Sequence, residues 1–332
     1  GSKNLLFMVW IFVLSGAFAS SAKAMGAIDA SVELTLALLP EKALLAGIFI
    51  ASCFVSMSIG TSVGTIVALT PVTAGLATET GMSTPLIVAA AVGGALFGDN
   101  LSFISDSTIA ATRSQGCKMN DKFKANLWIA LPASIITLAT YIILGQTENY
   151  SIAFDSQASP WLILPYLAVI GLAVVGVNVL VVLTFGILIS VIAGFCFTDI
   201  HLLDMCSSMG TGISGMGDLI VVTLLAAGML AMIKHNGGIE YLIKCLTRRI
   251  SGIRGAQATI AMLVSIVNVC TANNTIAIIT VGELSRQIAV KYNLDPRKVA
   301  SILDTCSCIV QCVIPYGAQI LLAAGLAQVS PT

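Results

Sequence analysis

The stretch Gly98-Asp99-Asn100-Leu101-Ser102-Phe103-Ile104-Ser105-Asp106-Ser107-Thr108 puts two carboxylates, an amide and four hydroxyls inside an otherwise apolar segment, residues 85–112. These groups are hard oxygen ligands, and a carboxyl can also carry a proton, so the chemistry they offer is cation binding or proton transfer. An Asp at bilayer depth costs roughly 2.5–3.5 kcal/mol even on lenient insertion scales. The flanking run Leu86-Ile87-Val88-Ala89-Ala90-Ala91-Val92 offers no polar face to relieve it. Such groups must face a cavity. The plainer alternatives are a loop mistaken for membrane, or a structural Asp satisfied by helix ends.

Two other apolar segments carry polar interruptions of the same kind. One holds Thr61, Ser62 and Thr65; the other holds Thr271, Asn273, Asn274 and Thr275. Short hydroxyl and amide side chains, with carbonyls freed by broken helices, suit Na⁺. Asp99, Asn100, Asn273 and Asn274 are the expected Na⁺ ligands. Helix N-termini at the same breaks favour an anion instead, and Ser, Thr and Asn also serve as helix–helix glue. Asp99 and Asp106, seven residues apart, would share a face about 10 Å apart on a continuous helix, Asp99 near mid-span and Asp106 toward the cytoplasm. Asp304 is the acidic candidate from the C-terminal part of the chain, whereas an ion pair of Glu283 with Arg286 is as good a reading as a role in transport.

The elements that must position these groups are membrane helices. Only 10% of residues are charged and 57% are hydrophobic, with a mean hydropathy of +0.97, outside the soluble range. A net charge of zero removes any electrostatic case for nucleic acid. Residues 5–22, 125–145, 161–176, 177–197 and 213–233 read as spans, and residues 28–39 and 239–250 as interfacial helices. Apolar runs 43–77, 85–112, 255–290 and 299–327 are each broken by polar, Gly or Pro residues. The opening Gly1-Ser2-Lys3 leads straight into an apolar run, and no secretory signal peptide is expected.

Charge sets the expected orientation. Of the sixteen Lys and Arg, all but Lys23 and Lys42 fall on one side if residues 113–124, 234–254 and 286–298 are cytoplasmic with Lys3, which leaves fourteen inside. Both ends of 255–290 are then cytoplasmic, and a run of that length overshoots one span. It is expected to turn at 271–275 as a re-entrant hairpin, while 43–77 enters from outside. Span, interfacial helix, hairpin and broken span begin near residues 5, 28, 43 and 85, and again near 213, 239, 255 and 299. The expected organisation is therefore a first repeat over 1–124, scaffold spans over 125–212 and an inverted second repeat over 213–332. The fold class is all-α, a polytopic membrane protein with inverted-topology repeats, two re-entrant hairpins and broken transmembrane helices.

Three tempting patterns fail on context. Gly60-Thr61-Ser62-Val63-Gly64 matches a serine-nucleophile elbow, which needs a strand–turn–helix setting and a His base. The flanks are helical, and His201 and His235 fall at span ends on opposite sides, so no hydrolase is expected. Gly210-x-Gly212-x-x-Gly215 resembles a dinucleotide fingerprint but has no preceding strand. Cys306-x-Cys308-x-x-x-Cys312 lacks zinc-ligand spacing and reads as small residues for helix packing.

Residues 60–71, Gly-Thr-Ser-Val-Gly-Thr-Ile-Val-Ala-Leu-Thr-Pro, and 98–112 together resemble the NhaC-type Na⁺/H⁺ antiporter family. The second stretch is similar to that family's Gly-Asp-Asn-Leu-Ser-x-Ile-Ser-Asp-Thr-Thr signature, with Ser107 where Thr is common. The likeness extends more loosely over nearly the whole chain. It implies the ion-transporter superfamily fold, Na⁺/H⁺ exchange, and functional roles for Asp99, Asn100, Ser105 and Asp106. Members of that family usually carry additional spans before the region starting at Leu5 and one after Ala327, so by this resemblance the chain is expected to be trimmed at both ends. The expected function is secondary active antiport in the cell membrane, with Na⁺ and H⁺ competing for Asp99 and no cofactor beyond the transported Na⁺. Burial disfavours the charged form of any carboxyl, which makes the proton a competitor. The alternative is Na⁺- or H⁺-coupled movement of a small carboxylate or amino acid. Expected partners are Na⁺, H⁺, the lipid bilayer and, as a candidate assembly, a second copy in a homodimer.

Overall fold

The computed structural model describes residues 2–38, 43–102, 105–147, 159–175, 177–238, 241, 244–245, 250 and 252–332. Among these, all regular secondary structure is helical. The order is α1 (Ser2–Ala24), α2 (Ala27–Leu38), α3 (Leu44–Ile59), α4 (Ser62–Thr80), α5 (Thr84–Leu101), α6 (Asp106–Gln115) and α7 (Met119–Thr147). A 3₁₀ turn, Pro160–Ile163, leads into α8 (Leu164–Val174), followed by α9 (Val179–Phe197), α10 (Leu202–Gly215) and α11 (Gly217–His235). The chain ends with α12 (Gly252–Thr271), α13 (Asn274–Lys291), α14 (Pro296–Val313) and α15 (Ala318–Ala327). Among the described residues, seven stretches are long and apolar enough to cross a bilayer, so the all-α, polytopic expectation holds. Most of the interfacial segment expected at 239–250 lies outside the described residues.

Two boundaries differ from the sequence reading. The span expected at 161–176 is a 3₁₀ turn plus the 11 residues of α8, shorter than a crossing needs. Residues between the spans at 177–197 and 213–233 form a helix of their own, α10. A Cβ on Gly16 would strike the Gly212 backbone, and one on Gly212 would strike Ser20. Small residues thus let α1 and α10 touch backbone to backbone, the packing that replaces the hydrophobic drive inside lipid.

Apolar burial divides into two clusters, and this division positions the site. The larger draws on α1–α5, α8–α10 and α15; the smaller on α12–α14 together with Ala111 of α6. Each broken helix therefore changes company at its break. α5 packs with α3 and α4, whereas α6 lies against α13 and α14; α14 packs with α12 and α13, whereas α15 lies against α4. Both breaks consequently fall at the seam between the clusters. The apolar window of Thr84–Gln115 is 81% buried, against 0% for that of Met119–Gln146, and Asp99, Asn100, Ser105, Ser107 and Thr108 are buried too, so the polar motif sits in the middle and α7 faces lipid along most of its length.

Glycine spacing sets how closely the first broken helix approaches its neighbour. A Cβ on Gly94 would lie 2.5 Å from Phe49 O, and one on Gly98 2.7 Å from Ser56 Cβ and 2.8 Å from Met57 N. The Gly94-x-x-x-Gly98 pair therefore seats α5 directly on the α3 backbone. Ser56 Oγ, one turn before the α3 terminus, donates to Ala95 O at 2.5 Å, locking that register.

Candidate functional site

Asp99 is 5% exposed and stands in the last turn of α5. Its carboxylate accepts from Ser105 Oγ at 2.6 Å and from Ser62 Oγ at 2.8 Å. Both donors sit where a helix restarts: Ser62 opens α4, and Ser105 precedes α6. Thr61 caps α4 with its own hydroxyl toward Gly64 N, which frees Ser62 for the carboxylate. Ser105 makes no cap bond, being turned toward Asp99 and Ser107 Oγ, the latter at 2.9 Å. Among the described residues no Lys, Arg or His pairs with Asp99.

One residue further on, the polarity changes. Asn100 Nδ2 donates to Asp304 Oδ2 at 3.3 Å, and Asn126 Nδ2 donates to Asn100 Oδ1 at 3.0 Å. Lys122 is ion-paired with Asp304 and donates to Asn100 O at 2.5 Å and Thr108 Oγ1 at 2.8 Å. Lys122 and Asp304 are 1% and 0% exposed. The sequence places Lys122 with the cytoplasmic rim charges; the structure draws it inside, where α7 packs against α5 and α14.

A thread of hydrogen bonds crosses the seam. Gln311 Nε2 donates to Gln319 Oε1 at 2.8 Å, and Gln319 Nε2 donates to Ser62 Oγ at 3.2 Å, which leads to Asp99. Gln311 Nε2 also holds Ala272 O at 3.1 Å. Ala272 has φ 50, a left-handed conformation that a Cβ disfavours, at the break between α12 and α13. Gly60 makes the corresponding turn between α3 and α4 with φ 74 and no such penalty.

A cavity of about 550 Å³ adjoins these breaks. Asp99, Ser105, Asp106, Thr61 and Ser62 line it from one set of breaks, and Asn273, Asn274, Thr275 and Gln319 from the other. The two sets of tip residues expected from sequence are thus brought together. Asp106 is exposed into this space and starts α6 rather than sharing a continuous face with Asp99, because α5 ends at Leu101 and Asp106 opens a new helix. Thr65, Thr271, Asn100 and Asp304 are not on the cavity wall. Thr65 Oγ1 and Thr271 Oγ1 donate to Thr61 O and Asn273 O within their own tips. Asn273 Oδ1 caps α13 through Ile276 N at 2.9 Å, and Asn274 Oδ1 accepts from Thr275 N at 3.0 Å. Glu283 and Arg286 are exposed and form no ion pair among the described residues. Lys122, Asn126, Gln311 and Gln319 are the polar residues the sequence reading missed. The available signal was polar side chains interrupting helical apolar runs, notably Gln311 and Gln319 flanking Ile314-Pro315-Tyr316-Gly317.

Broken helices that meet around a buried carboxylate and a polar cavity are an arrangement that membrane transporters use. The chain belongs to the Na⁺/H⁺ antiporter family, whose profile matches residues 1–146 and 151–332. It is similar to the Na⁺/H⁺ antiporter NhaC of Alkalihalophilus pseudofirmus, 26% identical over 295 residues, 79% of this chain and 63% of that protein. It therefore spans less than two thirds of that relative's length. The malate-2H⁺/Na⁺-lactate antiporter of Bacillus subtilis is 22% identical over 366 residues, 99% of this chain and 77% of that one. The arginine/ornithine antiporter ArcD of Halobacterium salinarum is 22% identical over 299 residues, 80% and 61%.

Proposed function

We propose that the protein is a Na⁺/H⁺ antiporter of the cell membrane in which Na⁺ and a proton exchange at Asp99. The observation that carries this is a buried carboxylate that lines the cavity, accepts from the hydroxyls of Ser62 and Ser105 and, among the described residues, has no cationic partner. A carboxylate with neutral partners can take either cation, and taking one requires losing the other, so exchange needs no further machinery. Asn273, Asn274 and Thr275 face the same space and complete an oxygen-rich surround suited to a hard cation. The Ser62 hydroxyl is committed to Asp99.

The inverted-repeat reading is part of this proposal, with one unit over 1–124, scaffold over 125–212 and the second unit over 213–332. Support comes from the spacing of elements: α5 starts at 84 and α14 at 296, the tips begin at 60 and 272, and the breaks in the crossing helices begin at 102 and 314, an offset of 212 residues each time. At that offset Gln311 corresponds to Asp99, so one unit supplies the carboxylate and the other a neutral amide. In this reading the hairpins α3–α4 and α12–α13 re-enter from opposite faces and bring both tips to mid-bilayer.

The test is a Na⁺-dependent pH change in proteoliposomes. Wild type responds and Asp99→Asn does not; exchange surviving in Asp99→Asn rules out the carrier role. A second reading is coupled transport of a small carboxylate or amino acid, favoured by a cavity far larger than a bare ion and by the likeness to the malate/lactate exchanger. Na⁺-dependent thermal stabilisation by an organic anion or amino acid would favour it.

A further inference from the structure

The Asp99 reading leaves unexplained a buried cation one residue away. Lys122 Nζ has three protons and three oxygen acceptors: the Asp304 carboxylate, Asn100 O and Thr108 Oγ1. Those acceptors come from three elements, α14, α5 and α6, and the lysine from a fourth, α7. Asn100 lies in the last turn of α5, which stops at Leu101, where carbonyls leave the intrahelical ladder. A carboxylate, a carbonyl freed at a helix end and a hydroxyl form the oxygen set that a bare alkali cation takes at such breaks. Asn126, one turn along α7, holds Asn100 Oδ1 and so keeps the Asn100 amide turned toward Asp304.

The site thus contains two buried carboxylates treated differently. Asp304 is 0% exposed, is off the cavity wall and carries its own ammonium; Asp99 is on the wall and carries none. As a fastener alone, a buried ion pair is a poor device, since its desolvation can exceed its attraction. As charge control it has a definite consequence. Among the described buried groups, Lys122 leaves one carboxylate without a cationic partner, Asp99; without it there are two, with the solvent-exposed Asp106 beside them in either case.

We propose that Lys122 is a tethered cation that occupies a second cation subsite at Asp304 and thereby limits the site to one mobile charge, held at Asp99. This rests on the reading of Asp99 as the exchange carboxylate. Lys122 is a specificity-determining residue: it sets how many cations the site takes and shuts out a second one.

Equilibrium ²²Na⁺ binding to the purified full chain at alkaline pH, where a free carboxyl is ionised, tests it. Wild type binds about one Na⁺ per chain and Lys122→Ala about two, the vacated oxygens accepting an alkali ion. One Na⁺ at unchanged affinity in folded Lys122→Ala overturns the proposal. Because that variant can fail to fold, a second series is read alongside it. In Asp304→Asn the stranded ammonium repels Na⁺ from Asp99 and lowers affinity by about tenfold or more. Adding Lys122→Met to Asp304→Asn recovers most of that loss. No loss in the single variant, or no recovery in the double, also overturns it, since a merely structural pair predicts no specific effect on Na⁺ affinity. Na⁺ binding that persists in Asp99→Asn, with Lys122 and Asp304 intact, instead refutes the underlying assignment of Asp99.

Discussion

Replacing Gly98 by Ala tests whether the carboxylate geometry depends on the approach of α5 to α3. The new methyl carbon would lie 2.7 Å from Ser56 Cβ and 2.8 Å from Met57 N, whereas comfortable carbon contacts are about 3.5–4.0 Å. Two helix backbones cannot rotate out of the way as a side-chain end can, so α3 and α5 must part by about 1 Å. α3 leads through Gly60 and Thr61 into Ser62, so the same displacement stretches the 2.8 Å bond from Ser62 Oγ to Asp99 past hydrogen-bond range. Overpacking costs about 1–3 kcal/mol, and losing a hydrogen bond to a charged group about 1.5–3 kcal/mol. The first should lower the melting temperature in detergent; the second should raise half-saturating Na⁺ for exchange by about tenfold. Gly93→Ala is the internal control. Its Cβ would meet only Tyr141 Oη, at 3.8 Å, and removing a helical glycine gains up to about 1 kcal/mol. Wild-type melting and half-saturation in Gly98→Ala, or equal damage in Gly93→Ala, would refute the reasoning.

Three further outcomes are expected. Ser62→Ala and Ser105→Ala each remove one hydroxyl donor from Asp99 and should each shift half-saturating Na⁺ by about tenfold, measured in proteoliposomes; the serine nucleophile reading instead predicts fluorophosphonate labelling of wild type, lost in Ser62→Ala. Asp106→Asn, at an exposed position on the cavity, should change half-saturation by only about threefold, as expected of a solvent-screened charge. Single cysteines at Ile253 and Val290, both exposed, should label with impermeant thiol reagents from the cytoplasm, and those at Ala43 and Thr78 from outside. Opposite-face labelling of the first pair would make α12–α13 an ordinary crossing and dissolve the inverted repeat.

Helix identity, membrane residence and the polar interruptions were legible in the sequence because each is a local property. Long apolar runs have to become helices in lipid, where every backbone group must be satisfied internally. Gly60, Ser102, Ser105 and Asn273 cap the helix ends at those interruptions. The oxygen-rich chemistry around Asp99 followed from residue type alone. Partnerships did not. Lys122 reads as a rim charge, and only the packing of α7 against α5 and α14 brings its ammonium to Asp304, 182 positions on. Gln311 and Gln319 join the Asp99 network because each crossing helix changes neighbours at its break, a consequence of two apolar clusters meeting at a seam. Asp99 and Asp106 share a segment but not an environment, since the break turns one carboxylate inward and leaves the other exposed. Sequence determines which groups are costly to bury; tertiary packing decides which of them meet, and so which buried carboxylate gains an ammonium and which accepts from hydroxyls, with no cationic partner among the described residues.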